Sequence, residues 1–170
     1  MGGEGLDRLW APWRMQYIAS GGESKGPRDF IAHADAMTND RENLVVVRTN
    51  LSIVILNRFP YNNGHLLVAP RRTAAELHQL SDEELLDLQK TLGRMIGVLR
   101  KSMNPDGFNV GLNLGRAAGA GLPEHLHWHV VPRWNGDVNF MSACADARVI
   151  VQSLDELWLT LRRAMGLPLE

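Results

Sequence analysis

Between residues 125 and 129 the chain carries a histidine at every second position, His125-Leu126-His127-Trp128-His129, and continues Val130-Val131-Pro132-Arg133. Imidazole can bind a metal, pass a proton near neutral pH or attack an electrophilic centre. Successive side chains of a strand point to opposite faces, so the three rings share one face while Leu126, Trp128 and Val130 share the other. Half of the six histidines in the chain thus fall on one short ledge. Three buried rings in a packed core would each need polar partners, at about 1–3 kcal/mol if left unmet. As zinc ligands they fit poorly. At roughly 3.3 Å per residue the α-carbons of His125 and His129 lie about 13 Å apart, whereas a zinc–nitrogen bond is only about 2.0–2.1 Å. Two neighbours sharing an ion with a distant carboxylate or with His65 is the metal arrangement left open. A polar cleft that accepts an anion, with a neutral imidazole as nucleophile, suits the spacing best. The preceding loop, Gly115 to Gly121, has three glycines and three alanines in seven residues. There backbone can approach a ligand closely and successive amides, including those of Gly119, Ala120 and Gly121, can form a nest for an anion.

The elements that must hold this ledge are legible from periodicity. Leu44–Arg48, Ser52–Asn57 and His65–Ala69 read as strands divided by turn residues, and Phe108–Leu114 as a fourth before the histidine strand. Ser81 with Glu84 has capping-box spacing, and Leu85, Leu88, Leu92, Ile96 and Leu99 then mark a long helix with one buried stripe, closed by Asn104-Pro105-Asp106-Gly107. Ser153 with Glu156 opens a C-terminal helix whose Leu154, Leu157, Trp158, Leu161 and Met165 could cover the sheet or dock on a partner. Strands, helix, strands, helix in this order predict an α+β fold with a largely antiparallel sheet of about five strands. Residues 1–43 read as an N-terminal arm and a mobile loop over Ser20–Asn43, with an aromatic anchor at Leu9–Ile18, and residues 44–170 as a single domain.

Composition narrows the function classes. At 170 residues with 45% hydrophobic content the chain can bury a real core. A net charge of −1 argues against coating nucleic acid or binding a membrane through basic residues. The single cysteine, Cys144, excludes an internal disulfide and a cysteine zinc knuckle, and fits a reducing cytoplasm. No apolar run reaches the ~20 residues of a membrane span, and the first residues lack the pattern of a secretory signal.

The ledge resembles the signature of the histidine-triad (HIT) nucleotide-binding superfamily, three histidines alternating with hydrophobic residues and ending in two more; His125 to Val131 matches each position. Asn57-Arg58-Phe59-Pro60-Tyr61-Asn62-Asn63-Gly64-His65 is similar to the family's strand–loop–strand segment around the ribose, so the likeness covers roughly Leu44 to Phe140. Asp106 to Gly115, Glu124 to His127, His129 to Trp134, Gly136-Asp137 and Asn139-Phe140 resemble one subgroup, the bacterial diadenosine tetraphosphate phosphorylases of HIT type.

The resemblance implies a HIT-like fold, usually a homodimer, and adenine nucleotides as substrate. It implies that His127 attacks the α-phosphorus to give a covalent nucleotidyl-histidine. His129 would bind phosphate and assist the leaving group. His125 would contact phosphate or hold its neighbours' tautomers, and His65 would support the nucleophile. It further implies Asn57 on the ribose, Ile55 and Leu67 as walls of the base pocket, and Asn113 near the phosphates. Strand alternation puts Ile55 with Asn57, and His65 with Leu67, on shared faces; for Asn57 a capping role at a strand end is the plainer reading. To attack, His127 must be unprotonated at Nε2, so Nδ1 should donate to a fixed acceptor such as a backbone carbonyl. No cofactor is required for the histidine chemistry, although a divalent metal can accompany a polyphosphate substrate.

The sequence also departs from the family pattern. Where many family hydrolases have glutamine, four residues before the first histidine, this chain has Gly121, which puts leaving-group handling in question and leaves room for phosphate as acceptor. Paired cysteines that hold zinc in other members are missing from Ser20–Asn43. Trp128 and Glu124 fall on the face opposite the histidines, while Trp134, Asn139 and Met141 follow the ledge. Phosphorylase, hydrolase of dinucleotides or nucleoside phosphoramidates, nucleotide-binding regulatory module and metalloenzyme all stay open here.

Overall fold

The computed structural model describes residues 27–137, 150 and 152–169. The aromatic arm, Asn139 and Met141 lie outside those residues. Five strands form one sheet: β1 (Val45–Arg48), β2 (Ser52–Leu56), β3 (Leu66–Pro70), β4 (Gly107–Leu112) and β5 (Trp128–Arg133). Their order is β1-β2-β3-β5-β4, and every neighbouring pair is antiparallel. β5 thus enters between β3 and β4, which brings the chain's histidine segment beside His65 at the start of β3. The expected α+β architecture holds, and each of the four earlier strands falls within two residues of its predicted bounds.

Helix α1 (Phe30–Ala36) is a correction, since Ser20–Asn43 was expected to be loop. Asp29 caps it by accepting the Ala32 N–H at 2.9 Å, and Ile31 and Ala34 bury its inner side. Two buried residues in a seven-residue helix leave no periodicity to read, which is why the pattern missed it.

Helix α2 (Asp82–Met103) begins at the predicted capping box, with the Ser81 hydroxyl accepting the Glu84 N–H and the Glu84 carboxylate accepting the Ser81 N–H. It ends where Asn104 turns left-handed at φ 47°. Leu88, Leu92, Met95 and Leu99 are buried against one face of the sheet, where Val54, Leu56, Leu66, Val68, Trp128 and Val130 complete the main core. Helix α3 (Leu154–Ala164) joins that core through Leu157, Trp158 and Leu161. Its stripe therefore covers this chain's own core. The Trp158 indole N–H donates to the Val45 carbonyl at 2.7 Å.

The opposite sheet face carries a smaller cluster, Ile31, Ala34, Val45, Ile53, Ile55, Ala69 and Leu122, roofed by α1. The histidines lie on this side.

Candidate functional site

Register puts Ile55, Leu67, His129 and Gly111 in one line across β2, β3, β5 and β4. Leu126, Trp128 and Val130 enter the main core, so the predicted alternation is real. The strand itself starts only at Trp128, however, so His125 and His127 precede it. That break separates the three rings into different environments.

His125 is fully buried. Its Nδ1 lies 2.9 Å from Asp29 Oδ2, and its Nε2 lies 2.8 Å from the Pro70 carbonyl oxygen. Both nitrogens are occupied, so direct contact with phosphate, one of the two expected roles, is ruled out by burial. The other role fits through the backbone: His127 Nδ1–H donates to the His125 carbonyl at 2.8 Å. A neutral imidazole carries one N–H, so this bond leaves the lone pair of His127 on Nε2, as nucleophilic attack requires. Burial lowers the His127 pKa, and the bond to the His125 carbonyl opposes this only in part.

His129 has the complementary arrangement, derived from its partners in turn. The Tyr61 N–H donates to His65 Nδ1 at 3.0 Å, which makes Nδ1 an acceptor and places the His65 proton on Nε2. His65 Nε2–H then donates to His129 Nδ1 at 2.9 Å. A neutral His129 accordingly holds its proton on Nε2, a buried atom with no hydrogen-bond partner among the described residues. Desolvation first, and repulsion from His127 second, lower the His129 pKa to about 4. The ring is neutral at pH 7 and presents a donor. An unmet buried donor is costly unless something arrives to take it, and an anionic oxygen would. His65 therefore supports His129; the expected support of His127 by His65 is replaced by the His125 carbonyl.

A cleft of about 250 Å³ opens beside His129, lined also by Tyr61, Asn109, Gly111, Asn113 and Val131. Asn113 thus lies at the cleft beside His129. The Tyr61 ring stacks on His129 at 5.6 Å between centroids and tilts against His65 at 4.7 Å. On the other side Phe30 of α1 meets His127 edge-on at 6.5 Å. Asp29, Phe30 and Tyr61 were not singled out from the sequence. The Asp29 cap before an apolar pair was the available signal for α1.

Other expected residues lie differently. Asn57 donates from its amide towards His65 Nδ1 at 3.3 Å and accepts the Phe59 N–H at 2.9 Å, so its capping role at the end of β2 is realised. Ile55 and Leu67 are both buried, Ile55 in the cluster beneath α1. The loop after β4 folds into a 3-10 turn, Arg116–Ala118. The amides of Ala118, Gly119 and Ala120 turn back to the Gly115 and Arg116 carbonyls, which corrects the expectation that Gly119 and Ala120 offer open amides to an anion. Glu124 is exposed and faces Arg116 at 3.7 Å, while the Trp134 indole N–H donates to the Asn104 carbonyl. Among the described residues no three His, Cys, Asp or Glu side chains converge as metal ligands, and no helix is long and apolar enough to cross a membrane.

The model of the HIT domain family matches residues 38–136, well over half of the chain and all of the site except α1. The chain belongs to the HIT family. Among its HIT relatives, the AP-4-A phosphorylase of Mycobacterium tuberculosis is 45% identical over 154 residues, 88% of this chain and 79% of that protein. The asymmetrical bis(5'-nucleosyl)-tetraphosphatase of Schizosaccharomyces pombe is 36% identical over 93 residues, 55% of this chain and 50% of its own length. Among solved HIT structures, a zinc-bound histidine triad protein from Mycobacterium smegmatis is similar with a TM-score of 0.62 and 28% identity, over 80% of this chain and 89% of that one.

Proposed function

We propose that this HIT protein transfers a nucleotidyl group from a dinucleoside polyphosphate, diadenosine tetraphosphate above all, to inorganic phosphate. The observation that carries the reading is the opposite bonding of two neighbouring Nδ1 atoms, His127 Nδ1 on the His125 carbonyl and His129 Nδ1 on His65 Nε2, which leaves a lone pair on His127 Nε2 and a proton on His129 Nε2. The first is a nucleophile and the second a donor for the charge that develops on phosphate oxygen.

The lone pair of His127 Nε2 forms a bond to the α-phosphorus as the bond from that phosphorus to its bridging oxygen breaks. The bonding pair leaves on that oxygen, releasing ATP and leaving AMP attached to Nε2. His127 keeps its Nδ1 proton throughout, and the His125 carbonyl stabilises the positive ring. An oxygen of inorganic phosphate then attacks the same phosphorus, the P–N bond breaks back to the lone pair, and the product is ADP. Asn113 and His129 at the cleft receive the phosphate oxygens, and Asn57 is offered as the ribose contact.

The similarity to a protein named phosphorylase over most of the chain favours phosphate as acceptor. Similarity to a tetraphosphatase favours water over the shorter shared segment. A homodimer in the cytoplasm is part of this reading, with no metal needed for the histidine steps and any divalent cation entering with the polyphosphate. Product analysis decides between acceptors. The expected products from diadenosine tetraphosphate are ATP and ADP, dependent on added phosphate; AMP and ATP formed without phosphate would overturn phosphorolysis in favour of hydrolysis.

A further inference from the structure

The geometry points to Asp29 as a positioning residue for the nucleophile, acting through His125. The inference rests on the reading of His127 as the nucleophile and adds a residue from outside the matched family segment.

Each nitrogen of the fully buried His125 ring faces an atom that can only accept. Nδ1 lies 2.9 Å and 3.1 Å from the two carboxylate oxygens of Asp29, and Nε2 lies 2.8 Å from the Pro70 carbonyl oxygen. A neutral ring can donate to one of them only. Donation to both requires the imidazolium, and a buried cation requires a counter-charge close by. Asp29 supplies it in a charge-assisted bond.

The carboxylate is itself fixed from two elements. The Ala32 N–H of α1 donates to Oδ1 at 2.9 Å, and the Thr73 hydroxyl, just beyond β3, donates to Oδ2 at 3.1 Å. Burial alone would raise the Asp29 pKa; these donors and His125 together outweigh it, so the group stays ionised below the usual range.

The consequence reaches His127 through the backbone. The carbonyl of His125 is the acceptor that keeps the His127 proton on Nδ1. The N–H of the same peptide, on Leu126, donates to the Ala74 carbonyl at 2.7 Å. The pinned His125 ring holds the other end of this peptide, at its Cα, so the carbonyl stays aimed at His127 Nδ1 and His127 Nε2 keeps its lone pair. Asp29 thus connects the cap of α1, 96 residues away in sequence, to the reactive nitrogen.

Nitrogen-15 NMR of the histidine rings tests this without substrate. In the unaltered protein at pH 7 the expected signals are His125 protonated on both nitrogens and His127 protonated on Nδ1 alone. Asp29→Asn keeps a competent helix cap but removes the charge. It is expected to return His125 to a single proton, to spread the His127 proton over both nitrogens, and to lower kcat at least about tenfold, as tautomer defects do, with KM little changed. A singly protonated His125 in the unaltered protein would overturn the assignment, as would Asp29→Asn with the same His127 signals and the same kcat. Loss of α1 in the variant, seen as a fall in Tm, would leave the decision to the signals of the unaltered protein. Failure of the unaltered protein to turn over diadenosine tetraphosphate, with His125 doubly protonated, counts against the proposed reaction and not against this role of Asp29.

Discussion

His127 and His129 are two residues apart and chemically opposite, because each Nδ1 has a different partner. A carbonyl takes the proton of one, and a neighbouring histidine gives a proton to the other. Their pKa values shift in the same direction, however, since burial disfavours the charged form of both. The reactive form of His127 is the neutral one. We therefore expect kcat/KM to fall in acid with a midpoint below about 6.5, the ordinary histidine value. An acid limb centred at pH 7 or above in the pH–rate profile would contradict the assignment. Stability follows the same sign. The unfolded chain takes up its histidine protons near 6.5, whereas folded His129 resists until about 4. Between those values this residue holds a proton in the unfolded chain and not in the folded one, so the contribution of His129 to stability is full above about 6.5 and declines as the pH falls towards 4.

At the scale of elements, the site depends on how β3 begins. Gly64 has φ +80°, and a Cβ there would lie 2.9 Å from both Met103 Sδ at the end of α2 and Pro132 Cγ in β5. Neither approach is tolerable without movement, and His65 follows directly. Gly64→Ala is expected to cost about 1–3 kcal/mol, as overpacking does, in chemical denaturation. Gly111→Ala is the control, because a Cβ at Gly111 meets nothing within 4 Å. Equal stability of the two variants would contradict the packing described. The turn residues Asn62-Asn63-Gly64 were visible in the sequence, but the crowding at Gly64 was not, because it comes from Met103 and Pro132. Much else at this scale was legible. Ser81 with Glu84 started α2, the stripe from Leu85 to Leu99 oriented it, and the alternation at Leu126, Trp128 and Val130 set which face the histidines avoid.

At the scale of the whole molecule, what local pattern could not show is what long-range pairing supplies. His65 and His129 are 64 residues apart and Asp29 and His125 are 96 apart. Both contacts exist because β5 inserts between β3 and β4 and because α1 folds over the face opposite α2. No window of sequence contains either pair, which is why the resemblance left two roles for His125, phosphate contact or holding its neighbours' tautomers, and offered His65 as support for His127. Likewise the buried Arg162 donates to the Val46 carbonyl and pairs with Asp40 while its guanidinium lies over Trp158. In this way α3 secures the outer strand β1 from the far end of the chain.

The covalent step between His127 and the nucleotide can be seen directly. The protein is mixed with diadenosine tetraphosphate, quenched in alkali to preserve phosphoramidates, and the digest is examined by tandem mass spectrometry. One adenylate is expected on the peptide carrying His127, absent in His127→Ala and retained in His78→Ala, His78 being an exposed residue outside the site. An adduct on another histidine, or turnover with no adduct on any, would contradict it.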